Sequence, residues 1–315
     1  MTLAIVFPGQ GSQSVGMLQD IAQEFSEVKS VFAQASDILS YDLWKIVQEG
    51  PSSELDKTEI TQPALLAASY AIWQILQKYT HLQPAFLAGH SLGEYTALVC
   101  SGALSFTDAI KAVEARGKFM QAAVRQGTGA MAAIIGLEDI KVEEVCIKAS
   151  LQTNALVSPA NFNSPGQIVI AGHAKGVEAA ITLAKGQGAK LSVLLPVSVP
   201  SHCALMEPAA EQLREYLSTL TFQSLTIPVI NNVEAIPYTD QTIQTGLVKQ
   251  LSQPVKWVNT IEYLIKNNVT QIIECGPGKV LTNLSKRINK NLQLFSTQDV
   301  KNLNELIHKT KVSSV

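Results

Sequence analysis

Apolar positions along the chain fall into two alternating textures. Short continuous runs occur at 3–7 ("LAIVF"), 85–89 ("AFLAG"), 227–233 ("IPVINNV") and 270–276 ("TQIIECG"), most of them followed by Gly, Pro or Asn. Runs of this kind predict strands buried on both faces, as in a parallel sheet. Between them, apolar residues recur at spacings of three and four, predicting helices over 16–36, 62–79, 92–103, 106–125, 206–218 and 257–267. Strand and helix in alternation predict an α/β domain on a parallel sheet.

The middle of the chain has a different rhythm. Strands are predicted at 129–137, 155–161, 166–172 and 189–198, and helices at 138–150 and 174–188. The order βαββαβ is that of a ferredoxin-like unit. The expected architecture is α/β: a hydrolase-like parallel-sheet domain over 1–127 and 198–315, interrupted by a ferredoxin-like subdomain at 128–197. Ligand sites favour such an interface and the carboxyl ends of parallel strands.

Composition narrows the class. Of 315 residues, 46% are hydrophobic and 16% charged, enough apolar mass for a sizeable core and against global disorder. The net charge of −2 carries no electrostatic footprint for nucleic acid. The N-terminus has no Lys or Arg before its apolar run, unlike a secretory signal. The most apolar helical stretch meets Gln74, Gln77 and Lys78 too early to span a membrane. Cys100, Cys146, Cys203 and Cys275 form no C-x-x-C pair and no zinc-like spacing with histidine, which fits a reducing, cytosolic setting. Cys203, although next to His202, reads as a small buried hydrophobe.

Three glycine-containing loops follow predicted strands. "FPGQGSQSVG" misses the phosphate-loop pattern, because Met17 and Leu18 stand where Lys and Ser/Thr are required. It misses the dinucleotide fingerprint for want of a third Gly at position 14. "ECGPGKVLTNLSKRI" reads as a strand end, a turn and a helix starting at Val280. "LAGHSLGEY" is the most specific. An apolar strand enters, a helical pattern leaves, and Ser91 occupies the turn, the context of a nucleophile elbow. The outgoing helix end supplies N–H groups for developing negative charge.

A nucleophilic serine needs a base. His90 adjoins Ser91 around a tight turn and points away from it. His81, His173 and His308 lie in predicted surface segments. His202, in "PVSVPSHCALM", falls where the inserted unit returns to the larger domain. The only aspartates between Ser91 and His202 are Asp108 and Asp139, both at predicted helix starts, where Asp serves as a cap. A carbonyl could orient the imidazole instead. Arg116 borders the apolar stripe of its helix. From spacing alone it reads as a border arginine that reaches water, rather than as a buried partner for a substrate carboxylate.

Taken together, "FPGQGSQ", "GHSLGEYTALVCSGAL", "VEARGKFMQ", "GTGAMAAIIGL", "NFNSPGQIVIAG", "VSVPSHCALMEP", "QLSQPVKW" and "ECGPGKVLTNLSKRI" resemble the malonyl-CoA:acyl carrier protein transacylases, in order, over roughly residues 3 to 290. The resemblance implies Ser91 as acyl-accepting nucleophile and His202 as its base, with the Gln250 carbonyl orienting the imidazole. It implies Gln10 and Leu92 as oxyanion-hole donors and Arg116 as anchor of the malonyl carboxylate. Gln62 and Asn161 are expected to line the pocket. Malonyl-CoA and acyl carrier protein are the implied substrates, with no bound cofactor and no metal. Lys190, Lys279, Lys286 and Arg287 are expected to dock the acidic carrier protein, and a cytoplasmic monomer is expected. Rival readings are a polyketide-synthase acyltransferase acting in trans, a serine thioesterase or hydrolase, and a catalytically silent carrier-protein scaffold.

Overall fold

The computed structural model describes residues 2–310 apart from 126 and 198. The chain runs β1 (Thr2–Phe7), α1 (Gln19–Glu24), α2 (Ser26–Leu39), α3 (Leu43–Glu49), α4 (Ser52–Leu55), α5 (Thr58–Tyr79), β2 (Phe86–Gly89), α6 (Gly93–Cys100) and α7 (Phe106–Ala123). There follow β3 (Gly129–Ile135), α8 (Asp139–Thr153), β4 (Val157–Ser164), β5 (Gln167–His173), α9 (Ala174–Gly186) and β6 (Leu191–Leu194). The remainder is α10 (Glu207–Ser218), β7 (Val229–Ile230), α11 (Ile243–Ser252), α12 (Trp257–Lys266), β8 (Val269–Glu274), α13 (Val280–Ile288), β9 (Gln293–Ser296) and α14 (Val300–Thr310).

Two sheets form. The first has the order β7-β2-β1-β8-β9, and every pairing in it is parallel. Its central strand β1 is buried on both faces from Leu3 to Phe7, which is why it reads as an unbroken apolar run. Helices cover each face, packing one core around α5, α6 and α7 and another around α12 and α13. The second sheet, β4-β5-β3-β6, is antiparallel throughout. Alternation divides its residues cleanly: Ile134, Ile168 and Ile170 pack under α8 and α9, whereas Met131, Val169 and Ala171 face the opposite way. That opposite face looks onto the first sheet. β4 is tied to the segment between α11 and α12 by Phe162 N–H to Val255 C=O and Val255 N–H to Ala160 C=O, both 2.9 Å.

Sequence and structure differ in instructive places. The helix expected over 16–36 is two helices. Phe25 adopts extended backbone between them, buries its ring and packs edge-on against Tyr79. A tertiary contact there overrides local periodicity. The helix expected from 62 begins a turn earlier, at Thr58, with Pro63 inside it. No described helix is long and apolar enough to cross a membrane.

Candidate active site

Ser91 stands between β2 and α6 with φ of 51°, in the left-handed region that ordinary side chains avoid. The turn closes so tightly that two positions must be glycine. A Cβ on Gly89 would come within 1.9 Å of the Gly93 carbonyl carbon, and one on Gly93 within 2.1 Å of the Phe7 oxygen. Asn232, just past β7, clamps the turn: its Oδ1 accepts from Ser91 N–H at 2.7 Å and its Nδ2 donates to Gly89 C=O at 2.7 Å. Strain at the turn is thus held by the sheet and by a side chain remote in sequence.

The Ser91 hydroxyl meets two groups. His202 Nε2 lies 2.8 Å from Oγ. His202 Nδ1 donates to the main-chain oxygen of Gln250 at 2.7 Å. A carbonyl only accepts, so Nδ1 carries the proton and Nε2 keeps a lone pair that faces the serine hydroxyl. Burial, and then the nearby Arg116 charge, push the His202 imidazole down to about 3, so it stays neutral and basic in form across the ordinary pH range.

Arg116 is the second group. Its guanidinium donates to Ser91 Oγ at 3.2 Å, to Gln250 Oε1 at 2.8 Å and to Gln62 Oε1 at 2.8 Å. It also lies over the Tyr95 ring, 5.5 Å from its centroid. The reading of Arg116 as a border residue reaching water is corrected, since it is 1% exposed. The reason is tertiary. Gly117 lets α7 meet α5 so closely that a Cβ there would lie 2.6 Å from the Glu59 Cα, and α5 then covers the flank that spacing left open. Among the described residues no carboxylate lies within ion-pair distance of Arg116. A buried cation bonded only to neutral groups is an incomplete pair.

These residues border a cleft of about 230 Å³ between the two sheets. Gln10, His90, Ser91, Leu92, Arg116, Asn161 and His202 all line it, with Met120, Met131 and Val169 as apolar wall. His90 turns from Ser91 and donates from Nε2 to Asn163 Oδ1 at 2.8 Å. Gln62 is not part of the lining; it sits behind Arg116 and holds it. Asp108 and Asp139 stand at the starts of α7 and α8, the former beside its cap Ser105. Burial raises the Cys203 thiol to about 11, against a reactive thiolate. Lys279, Lys286 and Arg287 are exposed on and just before α13, whose Val280, Leu281 and Leu284 line the cleft. Arg287 donates to Gln167, and Gln167 pairs with Ile135, which pairs in turn with Leu191. The exposed Lys190 is therefore at the same end of the second sheet.

Sequence reasoning missed Glu94, Asn232 and Tyr238. Glu94 is fully buried at the first turn of α6. It accepts from Tyr238 Oη, from Asn232 N–H at 3.1 Å and from Gln250 Nε2 at 2.8 Å. Burial pushes its carboxyl up to about 7 against the pull of those donors. A charged residue in the otherwise apolar stretch "LGEYTALVC" was the available signal.

A parallel sheet with a serine on its sharpest turn, a neutral histidine beside it and a cation in reach has the parts for carrying an acyl group. The family model described as acyl transferase domain matches residues 4–305. A malonyl CoA-acyl carrier protein transacylase of Haemophilus influenzae is 54% identical over 303 residues, 96% of each chain. Its counterpart in Escherichia coli is 54% identical over 286 residues, 90% of this chain and 92% of the other. The crystal structure of an acyl carrier protein S-malonyltransferase from Vibrio cholerae superposes with a TM-score of 0.94 at 54% identity, over 97% of this chain and 100% of that one. A malonyl-transacylase in complex with its type II PKS acyl-carrier protein superposes with a TM-score of 0.96 at 49% identity, over 98% and 100%. The chain belongs to the acyl transferase family, among the malonyl CoA-acyl carrier protein transacylases.

Proposed function

We propose that this protein moves a malonyl group from CoA to the phosphopantetheine thiol of an acyl carrier protein, through a malonyl ester on Ser91. The supporting observation is the buried Arg116 guanidinium, which lacks a carboxylate and reaches the same oxygen as the His202 imidazole. A diacid acyl group would present its free carboxylate to Arg116 while its thioester carbon faces Ser91.

Each half-reaction balances on the same two side chains. Ser91 Oγ gives its proton to His202 Nε2 and attacks the thioester carbon. The oxyanion falls to the main-chain N–H groups of Gln10 and Leu92. The C–S bond breaks, and the imidazolium returns the proton to the CoA thiolate. The carrier thiol then gives its proton to His202 and attacks the ester, and the serine oxygen leaves as a hydroxyl. Asn161 contributes to the cleft wall, and Gln62 and Gln250 hold Arg116. No bound cofactor or metal enters the scheme.

The larger unit over 1–127 and 198–315 carries the serine and the histidine, and the unit over 128–197 roofs the cleft. Lys190, Lys279, Lys286 and Arg287 form the docking side for an acidic carrier protein. The protein acts as a monomer in the cytoplasm, supplying fatty acid elongation. A type II polyketide role is the second reading, favoured by the likeness to the carrier-bound malonyl-transacylase. The scheme is tested by mass spectrometry after mixing with malonyl-CoA alone. A malonyl adduct on Ser91 that carrier protein then removes is the expected result. Steady release of free malonate without any thiol acceptor would make the protein a hydrolase, and inertness would make it a scaffold.

A further inference from the structure

Beneath the cleft lies a buried carboxylate for which the two-step scheme has no use. Glu94 touches neither the cleft nor Ser91 Oγ. Its Oε2 accepts from Gln250 Nε2 at 2.8 Å, and its Oε1 accepts from Tyr238. Gln250 Nε2 also donates to the Ser91 carbonyl at 3.0 Å. With the Glu94 carboxylate, the Ser91 carbonyl and, at 3.5 Å, Asn232 Oδ1 all on its amino side, the Gln250 amide has one orientation left, and its Oε1 must face Arg116. An amide free to turn could offer its NH₂ to the guanidinium, and two donors would then meet.

We propose that Glu94 is a positioning residue for acyl-group selectivity, acting through the Gln250 side chain to hold the Arg116 guanidinium in line with Ser91. The proposal rests on the malonyl-transfer reading above. It separates the two halves of Gln250: the main-chain oxygen serves the base, and the side chain serves the carboxylate anchor. Loss of Glu94 therefore disturbs a carboxylated acyl group more than one without a carboxylate. Glu94 also accepts from Asn232 N–H, and Asn232 clamps the serine turn, so some loss falls on every acyl group. The informative quantity is the ratio between substrates.

The test measures kcat/KM for malonyl-CoA and acetyl-CoA, together with the rate at which phenylmethylsulfonyl fluoride labels Ser91, which needs the serine and histidine but no carboxylate anchor. Wild-type protein must first prefer malonyl; if it does not, the transfer reading fails, and the inference with it. In Glu94→Ala the malonyl-to-acetyl ratio falls by about tenfold, the scale of one charge-assisted hydrogen bond. Glu94→Gln, which keeps an acceptor for Gln250 Nε2 while Tyr238 reverses its hydroxyl, restores most of the ratio. Should Glu94→Ala fail to fold, Glu94→Asp keeps the charge, withdraws it from Gln250 and lowers the ratio in the same way. Equal falls for malonyl and acetyl, or a Gln variant as poor as Ala, overturn the proposal. So does slowed fluoride labelling that accounts for the whole malonyl loss.

Discussion

The Nδ1 proton of His202 rests on the main-chain oxygen of Gln250, 2.7 Å away, where a serine hydrolase of similar fold would place a carboxylate. A neutral carbonyl fixes the tautomer without stabilising the imidazolium by charge. Burial and the Arg116 cation then dominate, and the imidazole is depressed from 6.5 to about 3.

The acid limb of kcat/KM for the free enzyme consequently lies well below pH 6.5. Removing a neighbouring cation makes the imidazolium less costly, so Arg116→Ala moves that limb to higher pH. Acetyl-CoA is the substrate to use, because it reports the base without the anchor. Stability follows the same sign. Between pH 6.5 and about 3 the unfolded chain binds a proton that folded His202 refuses, so its contribution is complete above 6.5 and is lost as pH falls through that window. An acid limb at 6.5 in both proteins would remove this account of the base.

Arg116→Ala should lower kcat/KM for malonyl-CoA by about a hundredfold or more relative to acetyl-CoA, since truncating one side of a buried charged pair costs ~2–5 kcal/mol. Arg116→Lys is no rescue. One ammonium cannot span Gln62, Gln250 and Ser91 as the planar fork does. Parallel losses for both acyl groups would strip Arg116 of its anchoring role.

Gly93→Ala places a methyl group 2.1 Å from the Phe7 oxygen, a backbone atom in the central strand that has no room to move. The strand and helix must separate, at a cost of at least ~1–3 kcal/mol. Chemical denaturation should register the loss, and fluoride labelling of Ser91 should slow with it. Unfolding midpoints matching wild type would mean that the turn is looser than its contacts imply.

Reversing charge at Lys279, Lys286 and Arg287 together should raise KM for carrier protein by about tenfold at low salt, with the effect fading as salt is added. None of the three is in an ion pair among the described residues. KM insensitive to this change would move the docking surface elsewhere.

Much of the fold was legible because its signals are local. A strand buried on both faces must be apolar throughout, as "LAIVF" is, and "GAMAAII" over 129–135, with Ala132 and Ile134 in one core and Met131 in another, is apolar throughout as well. The βαββαβ order needed only the succession of such segments. The serine turn was legible for a similar reason: only glycine fits at Gly89 and Gly93, so close approach of backbone is written as residue type. Phe25 and the early start of α5 were not legible, because packing against distant elements decided them.

The chemistry divides along the same line. Which residue could be a nucleophile, and which histidine could serve it, followed from residue type and position along the chain. That Arg116 is buried, that Gln250 supplies its main chain to one partner and its side chain to another, and that Glu94, Tyr238 and Asn232 stand behind them depend on contacts spanning 18 to 159 positions. Hydrogen bonds and desolvation act over a few ångströms of space whatever the separation along the chain. A charged residue on a helix therefore reads the same in sequence whether it ends in water or in the core, and only the packing of α5, α7 and α11 around Arg116 decides between them.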